Sequence, residues 1–153
     1  MEKKMFYEDL IFLDKPLADA NSFFEWIFPI LEEKGFVKAS FLDAIKAREE
    51  KYPTALPVDP PIALPHTDIE HIKKPFISVT RVDGTVSWAE MANNDHILNA
   101  KFVFLLGFLD KNGHVDLLQS LTGAFGNADF IEKLSHVSTP RECMELLETT
   151  VKL

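Results

Sequence analysis

Apolar positions in the first third of the chain recur at helical spacing. Phe23, Phe24, Ile27, Ile30 and Leu31 follow the 3.6-residue period. Asn21 or Ser22 is placed to cap the start of this helix and Gly35 to close its end. Pro29, inside the pattern, predicts a kink or a boundary. A second helix is predicted from Phe41 to about Lys51, with Phe41, Leu42 and Ile45 inward and Ser40 with Asp43 as a capping pair. Ahead of both, the apolar run Leu10 to Leu13 predicts a first strand. The middle third changes period. Pro61-Ile62-Ala63-Leu64-Pro65 is extended, because each proline biases its predecessor away from helix. Phe76 to Val82 and Thr85 to Trp88 predict a hairpin turning at Asp83-Gly84. Lys101 to Leu109 is apolar almost throughout, the mark of a strand buried on both faces. The final third is helical again. His114, Leu117, Leu118, Leu121 and Phe125 share one face, Phe130, Ile131 and Leu134 another, and Thr139-Pro140 opens a last helix. Helices around a central apolar strand imply a layered α/β architecture.

Length and charge narrow the function classes. The 153 residues, 46% hydrophobic and 26% charged, describe one globular domain over positions 1–153. The lone Cys143 excludes an internal disulfide and a cysteine-cluster metal site, and it shares a helical stripe with Leu146, Leu147 and Val151 as a core thiol. With 16 Lys and Arg against 24 Asp and Glu, the formal charge of −8 argues against holding nucleic acid by its phosphates. Charges in the first nine residues occupy the place of a signal peptide's apolar core. The longest apolar run, Phe102 to Leu109, falls far short of the ~20 residues that cross a bilayer. The expectation is a cytoplasmic protein with no segment inserted in the membrane.

Candidate chemistry centres on histidine. His66 follows an apolar strand and a proline, so its imidazole stands at a strand end, where α/β sheets build sites. A histidine with one ring nitrogen hydrogen-bonded presents the other as a nucleophile near neutral pH. The competing reading is a loop histidine after a structural proline. His114 starts the helix after the most apolar strand, where unpaired N–H groups and the dipole favour an anion; a polar first-turn residue is the plainer alternative. Arg48 closes the second helix, either as a charge that complements the dipole or as a guanidinium fork for a phosphoryl group. His66, Asp68, Glu70 and His71 invite a metal reading but lack the one-turn spacing of helical zinc proteases. His96 and His136 lie in polar surroundings, and no glycine-rich phosphate loop or Gly-x-Ser-x-Gly elbow is present.

Ile62-Ala63-Leu64-Pro65-His66, preceded by Ala47-Arg48-Glu49-Glu50-Lys51-Tyr52-Pro53-Thr54, resembles the IIA proteins of the sugar phosphotransferase system. The match is to the fructose–mannitol superfamily, whose apolar-Ala-apolar-Pro-His motif carries the phosphorylated histidine. Tyr52-Pro53-Thr54 and the long gap to the histidine are most similar to its galactitol-type branch. Gly113-His114-Val115-Asp116-Leu117-Leu118 is similar to the family's second-histidine helix. Thr67 departs from the small residue common at that position.

The resemblance implies a mixed, largely parallel five-stranded sheet with helices on both faces. It implies a phosphotransferase without cofactor or metal, in which His66 accepts a phosphoryl group from the carrier HPr. His66 then passes the group to a cysteine of the cognate IIB component, and through it to the membrane component IIC, for uptake of a sugar or sugar alcohol of galactitol type. Arg48 and His114 would surround the phosphate, with Thr54 and Thr67 as weaker binding candidates. Three rivals remain at this point. One is a regulatory module like the nitrogen-related IIA proteins, whose phosphorylation state controls partner binding. Another is a metal-dependent hydrolase using His66, Asp68 and His71. The last is a purely structural interaction domain.

Overall fold

The computed structural model describes residues 5–110 and 114–151. In chain order the elements are β1 (Phe6–Lys15), α1 (Ala20–Glu33), α2 (Phe41–Lys51), β2 (Ala55–Leu56), β3 (Ile62–Ala63), β4 (Phe76–Glu90), β5 (Asn93–Gly107), α3 (His114–Phe125), α4 (Ala128–His136) and α5 (Pro140–Thr150). A single 3-10 turn, Ile69–His71, lies between β3 and β4.

Alternation along β5 sets the layers, because successive side chains of a strand point to opposite faces. Phe102, Phe104 and Leu106 join Leu121 and Phe125 of α3, Phe130 of α4 and Leu147 of α5 in one core. Val103 and Leu105 join Phe23, Ile27 and Leu31 of α1 and Ile45 of α2 in the other. Helices therefore cover both faces of a single five-stranded sheet. Three of its strand pairings are parallel (β1–β4, β2–β4, β3–β5) and two antiparallel (β2–β3, β4–β5). β5 is paired on both edges: Phe102 lies opposite Arg81 of β4 and opposite Ile62 of β3. Its continuous apolar run follows from that burial on every side.

Most helix ends are where side-chain chemistry puts them. Gly35, at φ +82°, ends α1, its N–H bonding Glu32 O and the Phe36 N–H bonding Leu31 O. Asn127 caps α4 and Thr139 caps α5, with Pro140 in the first turn.

Five local expectations are corrected. The first strand is longer than Leu10 to Leu13, because β1 pairs with β4 from Phe6 onward. Pro29 is no boundary: α1 runs through it to Glu33, with the proline exposed on the outer face. The cap of α1 is Asp19, whose carboxylate accepts from Ser22 N. Ser40 does not cap α2. It already has helical dihedrals, and its hydroxyl is hydrogen-bonded instead to His71 Nδ1 at 2.8 Å.

The fifth correction concerns the hairpin, which turns at Met91-Ala92 rather than Asp83-Gly84. Gly84 does take a positive φ of 78°, the conformation its turn signal announces. The fold uses it for a bulge inside the continuous strand β4, between the pairs Arg81↔Phe102 and Val86↔Ala100. The Lys101 ammonium closes that bulge by donating to Val82 O at 2.8 Å and Gly84 O at 3.2 Å. Positive φ is shared by turns and bulges, and pairing partners decide between them.

Candidate functional site

β3 is two residues long, but its parallel pairing with β5 continues beyond it. Lys101 N donates to Pro61 O, Ile62 and Ala63 lie opposite Phe102 and Val103, and Leu106 N donates to Pro65 O at 3.0 Å. Pro65 has no N–H to give and a fixed φ, so it suits the last step of such a run. His66 then bridges to Leu106 and emerges at the end of the central strand. At this end Gly107 lies opposite Phe76, where a Cβ would collide with the Phe76 ring.

The ring of His66 is half-buried, and its Nδ1 lies 3.0 Å from Leu64 O. A carbonyl can only accept, so Nδ1 carries the proton and, in the neutral ring, Nε2 carries the lone pair. The edge of Phe108 backs the ring at a centroid distance of 6.4 Å. His66 opens onto a cavity of about 530 Å³ lined with Arg48, Thr67, Asp68, Ile69 and Phe108.

Arg48 reaches this cavity from the last turn of α2. Its guanidinium packs over Tyr52 at 5.7 Å and approaches the exposed Asp68 carboxylate at 3.6 Å, Nη1 to Oδ1. That separation is long for an ion pair, and an exposed partner makes it weak. Its Nε is buried without a hydrogen-bond partner among the described residues. Thr67 is buried in the cavity wall. His66, Arg48, Thr67 and Asp68 therefore converge, from segments about 20 residues apart in sequence.

The other candidates lie elsewhere. Thr54 is buried and does not line the cavity; its hydroxyl donates to Glu49 Oε1 at 2.7 Å. His114 opens α3, but its side chain lies outside the described residues. His71 is held by Ser40, and among the described residues no three His, Cys, Asp or Glu side chains converge as metal ligands. His96 pairs with Glu90 and His136 with Glu132, both histidines exposed. Cys143 is fully buried, and that burial pushes its thiol up to about 12, far from thiolate reactivity.

Two features escaped sequence reasoning. In the sequence Asp68 reads only as a metal ligand, whereas in the fold it faces Arg48. Glu49 is a buried carboxyl whose acidity burial weakens to about 7, against the lowering effects of Thr54, the Trp88 indole and Arg48. A signal for Glu49 was present: Phe41, Ile45 and Glu49 repeat every fourth residue on the buried stripe of α2.

The family model described as "Phosphoenolpyruvate-dependent sugar phosphotransferase system, EIIA 2" matches residues 4–150. The chain is 24% identical over 139 residues to the PTS system fructose-specific EIIABC component of Mycoplasma pneumoniae, covering 88% of this chain and 19% of that protein. It is 27% identical over 141 residues to the PTS system mannitol-specific EIICBA component of Escherichia coli, covering 90% of this chain and 21% of that one. The chain thus spans about a fifth of the length of these curated relatives. Among solved structures, the complex of enzyme IIAMTL and phosphorylated enzyme IIBMTL from Escherichia coli superposes with a TM-score of 0.76 at 26% identity, over 95% of this chain and 99% of the matched one.

Proposed function

This chain belongs to the EIIA 2 family of the phosphoenolpyruvate-dependent sugar phosphotransferase system, and from that membership and the cavity at His66 we propose that it is a phosphocarrier. Nε2 of His66 attacks the phosphorus of the phosphohistidine on HPr, the P–N bond of the donor breaks, and the donor imidazole leaves with the electron pair. In the second step the sulfur of a cysteine on the cognate IIB component attacks the same phosphorus, and His66 Nε2 recovers its lone pair. IIB then serves a membrane IIC component. The carrier itself works in the cytoplasm, and among the described residues no helix is long and apolar enough to cross a membrane.

The observation that carries this reading is the 3.0 Å bond from His66 Nδ1 to Leu64 O inside a cavity lined by Arg48. It holds the lone pair on the nitrogen that must attack. As Nε2 bonds phosphorus the ring acquires positive charge, and the carbonyl dipole on Nδ1–H stabilises it. Phosphoryl transfer needs in-line positioning and charge neutralisation more than acid–base machinery. Arg48 supplies a guanidinium whose present contacts are weak, and the start of α3, with His114, would add the positive end of a helix dipole favourable to an anion. The weak approach of Asp68 leaves Arg48 free to turn to the phosphoryl group, and its nearby negative charge helps keep the phosphohistidine labile enough to donate. Thr67 shapes the wall beside the nucleophile. The likeness to the galactitol-type branch rests on the Tyr52-Pro53-Thr54 pattern after α2, and the choice of sugar lies with the membrane component.

Intact-mass spectrometry after incubation with phosphoenolpyruvate, Enzyme I and HPr tests the reading. One acid-labile phosphoryl gain is expected, lost in His66→Ala, followed by its appearance on the IIB cysteine. Phosphorylation of His66 that never moves on to IIB would instead favour the regulatory role. No gain while HPr is itself phosphorylated would overturn the carrier function.

A further inference from the structure

Between the α2 turn that bears Arg48 and the extended segment that bears His66 lies a polar connection that the transfer does not itself require. The Glu49 carboxyl is buried, 9% exposed, and accepts at Oε1 from the Thr54 hydroxyl at 2.7 Å. The Thr54 carbonyl accepts from Leu64 N at 3.2 Å, and the Leu64 carbonyl accepts from His66 Nδ1. Glu49 is the residue next to Arg48. One continuous chain of contacts, Glu49–Thr54–Leu64–His66, therefore joins the base of the guanidinium to the base of the nucleophile. We propose that Glu49 is a positioning residue for phosphoryl transfer, fixing the Arg48 turn and the His66 segment in one frame so that both meet the same phosphoryl group. This rests on the phosphocarrier reading.

Two buried atoms extend the inference to pH. Glu49 Oε2 and Arg48 Nε are each buried without a hydrogen-bond partner among the described residues. Among the described residues the Trp88 indole N–H is also without a bond of normal geometry, so it acts on the carboxyl as a nearby dipole. Arg48 is the charged group that acts on Glu49 through space. The other charges around the seat are committed or outward. Lys46 of α2 pairs with Glu25, Asp19 before α1 bonds Ser22 N, Glu50 of α2 is exposed, and Glu90 of β4 pairs with His96. β4 otherwise presents the neutral Ser87 and Trp88. A protonated Glu49 leaves Arg48 facing the cavity. An ionised Glu49 offers the guanidinium an interior partner and draws it back, so transfer should slow as the carboxyl loses its proton near pH 7.

The test follows the rate at which phospho-HPr phosphorylates wild type, Glu49→Gln, Glu49→Ala and Thr54→Val from about pH 6 to about pH 8. Glu49→Ala and Thr54→Val should lose roughly tenfold in maximal rate with little change in the apparent KM for HPr, because the groups that bind the partner remain while their alignment is lost. Glu49→Gln, which keeps an acceptor for Thr54 and cannot ionise, should match wild type near pH 6 and hold its rate where wild type declines. Should Glu49→Ala fail to fold, Thr54→Val carries the comparison. Rates in Thr54→Val equal to wild type, or a Glu49→Gln profile that tracks wild type throughout, would overturn the inference. Absence of phosphorylation in wild type, with HPr charged, would overturn the phosphocarrier reading instead.

Discussion

Two arginines in this molecule have opposite employment. Arg81, on β4, is 7% exposed and places its donors within the fold. Its Nε and Nη2 grip Asp14 at 2.8 and 2.9 Å, and Nη1 donates to Leu134 O at 3.1 Å and Val137 O at 2.8 Å. It ties β1, β4 and the end of α4 together, and its bonds hold the Asp14 carboxyl below the usual carboxylate range. Arg48, at the end of α2, has a stacked tyrosine, one 3.6 Å approach to an exposed carboxylate and a buried Nε without a partner among the described residues. A guanidinium wants five acceptors in a plane. Where the fold supplies them the residue is structural; where it withholds them, beside a histidine in a cavity, the donors stay open to the phosphoryl group that the proposed function would bring there.

The comparison breaks most visibly at Arg48. Arg48→Ala should lower the rate of His66 phosphorylation by about 10²–10³-fold, the scale for losing a charge donor to a transition state. Its melting temperature should stay close to wild type, because so few of its contacts are internal. Arg48→Lys should recover only part of the rate, since an ammonium cannot fork over two phosphoryl oxygens. Arg81→Met should do the reverse. It leaves Leu134 O and Val137 O without their buried donor and costs about 2–4 kcal/mol of stability, a melting temperature lower by roughly 5–15 °C. The folded fraction should still accept a phosphoryl group at a near-normal rate. Parallel melting curves and quench-flow phosphorylation of the two variants check both halves, and a rate defect in Arg81→Met as deep as that of Arg48→Ala would dissolve the distinction.

The pattern of the chain made the layers legible and this distinction not. Helical spacing in Phe23, Phe24, Ile27 and Leu31, and the unbroken apolar run around Phe102 to Leu106, report burial directly, and burial is what the fold preserves. The same holds for Gly35 and Thr139, whose roles depend on their immediate neighbours. Asp83-Gly84 reads as a turn because its positive φ is local, whereas the choice between turn and bulge is made by Lys101 on the partner strand. Ser40 reads as a cap because its true partner, His71, is 31 residues away. Arg48 and His66 could be marked as chemistry-bearing, but their meeting depends on the Pro61–His66 run lying parallel to β5, a long-range register that periodicity does not encode. Glu49 is hidden because a charged residue beside a charged residue at a helix end reads as solvated surface, and only the phase of Phe41 and Ile45 says otherwise.

Glu49 sharpens the comparison from the side of stability, with the smallest effect. Its carboxyl is raised from an ordinary 4.5 to about 7 by burial, so the folded chain holds a proton there that the unfolded chain has released. Stability on this account is fully present below about pH 4.5, declines as pH rises through the window to about 7, and levels off above it. Between about pH 6 and pH 8 the loss should come to about 1 kcal/mol, or roughly 2–4 °C in melting temperature. Asp14 and Asp19, both lowered, act in the opposite sense and at more acid pH, outside this window. Glu49→Gln, compared with wild type at the two pH values, should remove that increment while keeping the Thr54 bond. Equal pH dependence in the two proteins would mean that Glu49 is already ionised in the fold, and that Arg48, drawn inward by it, is a structural residue after all, like Arg81.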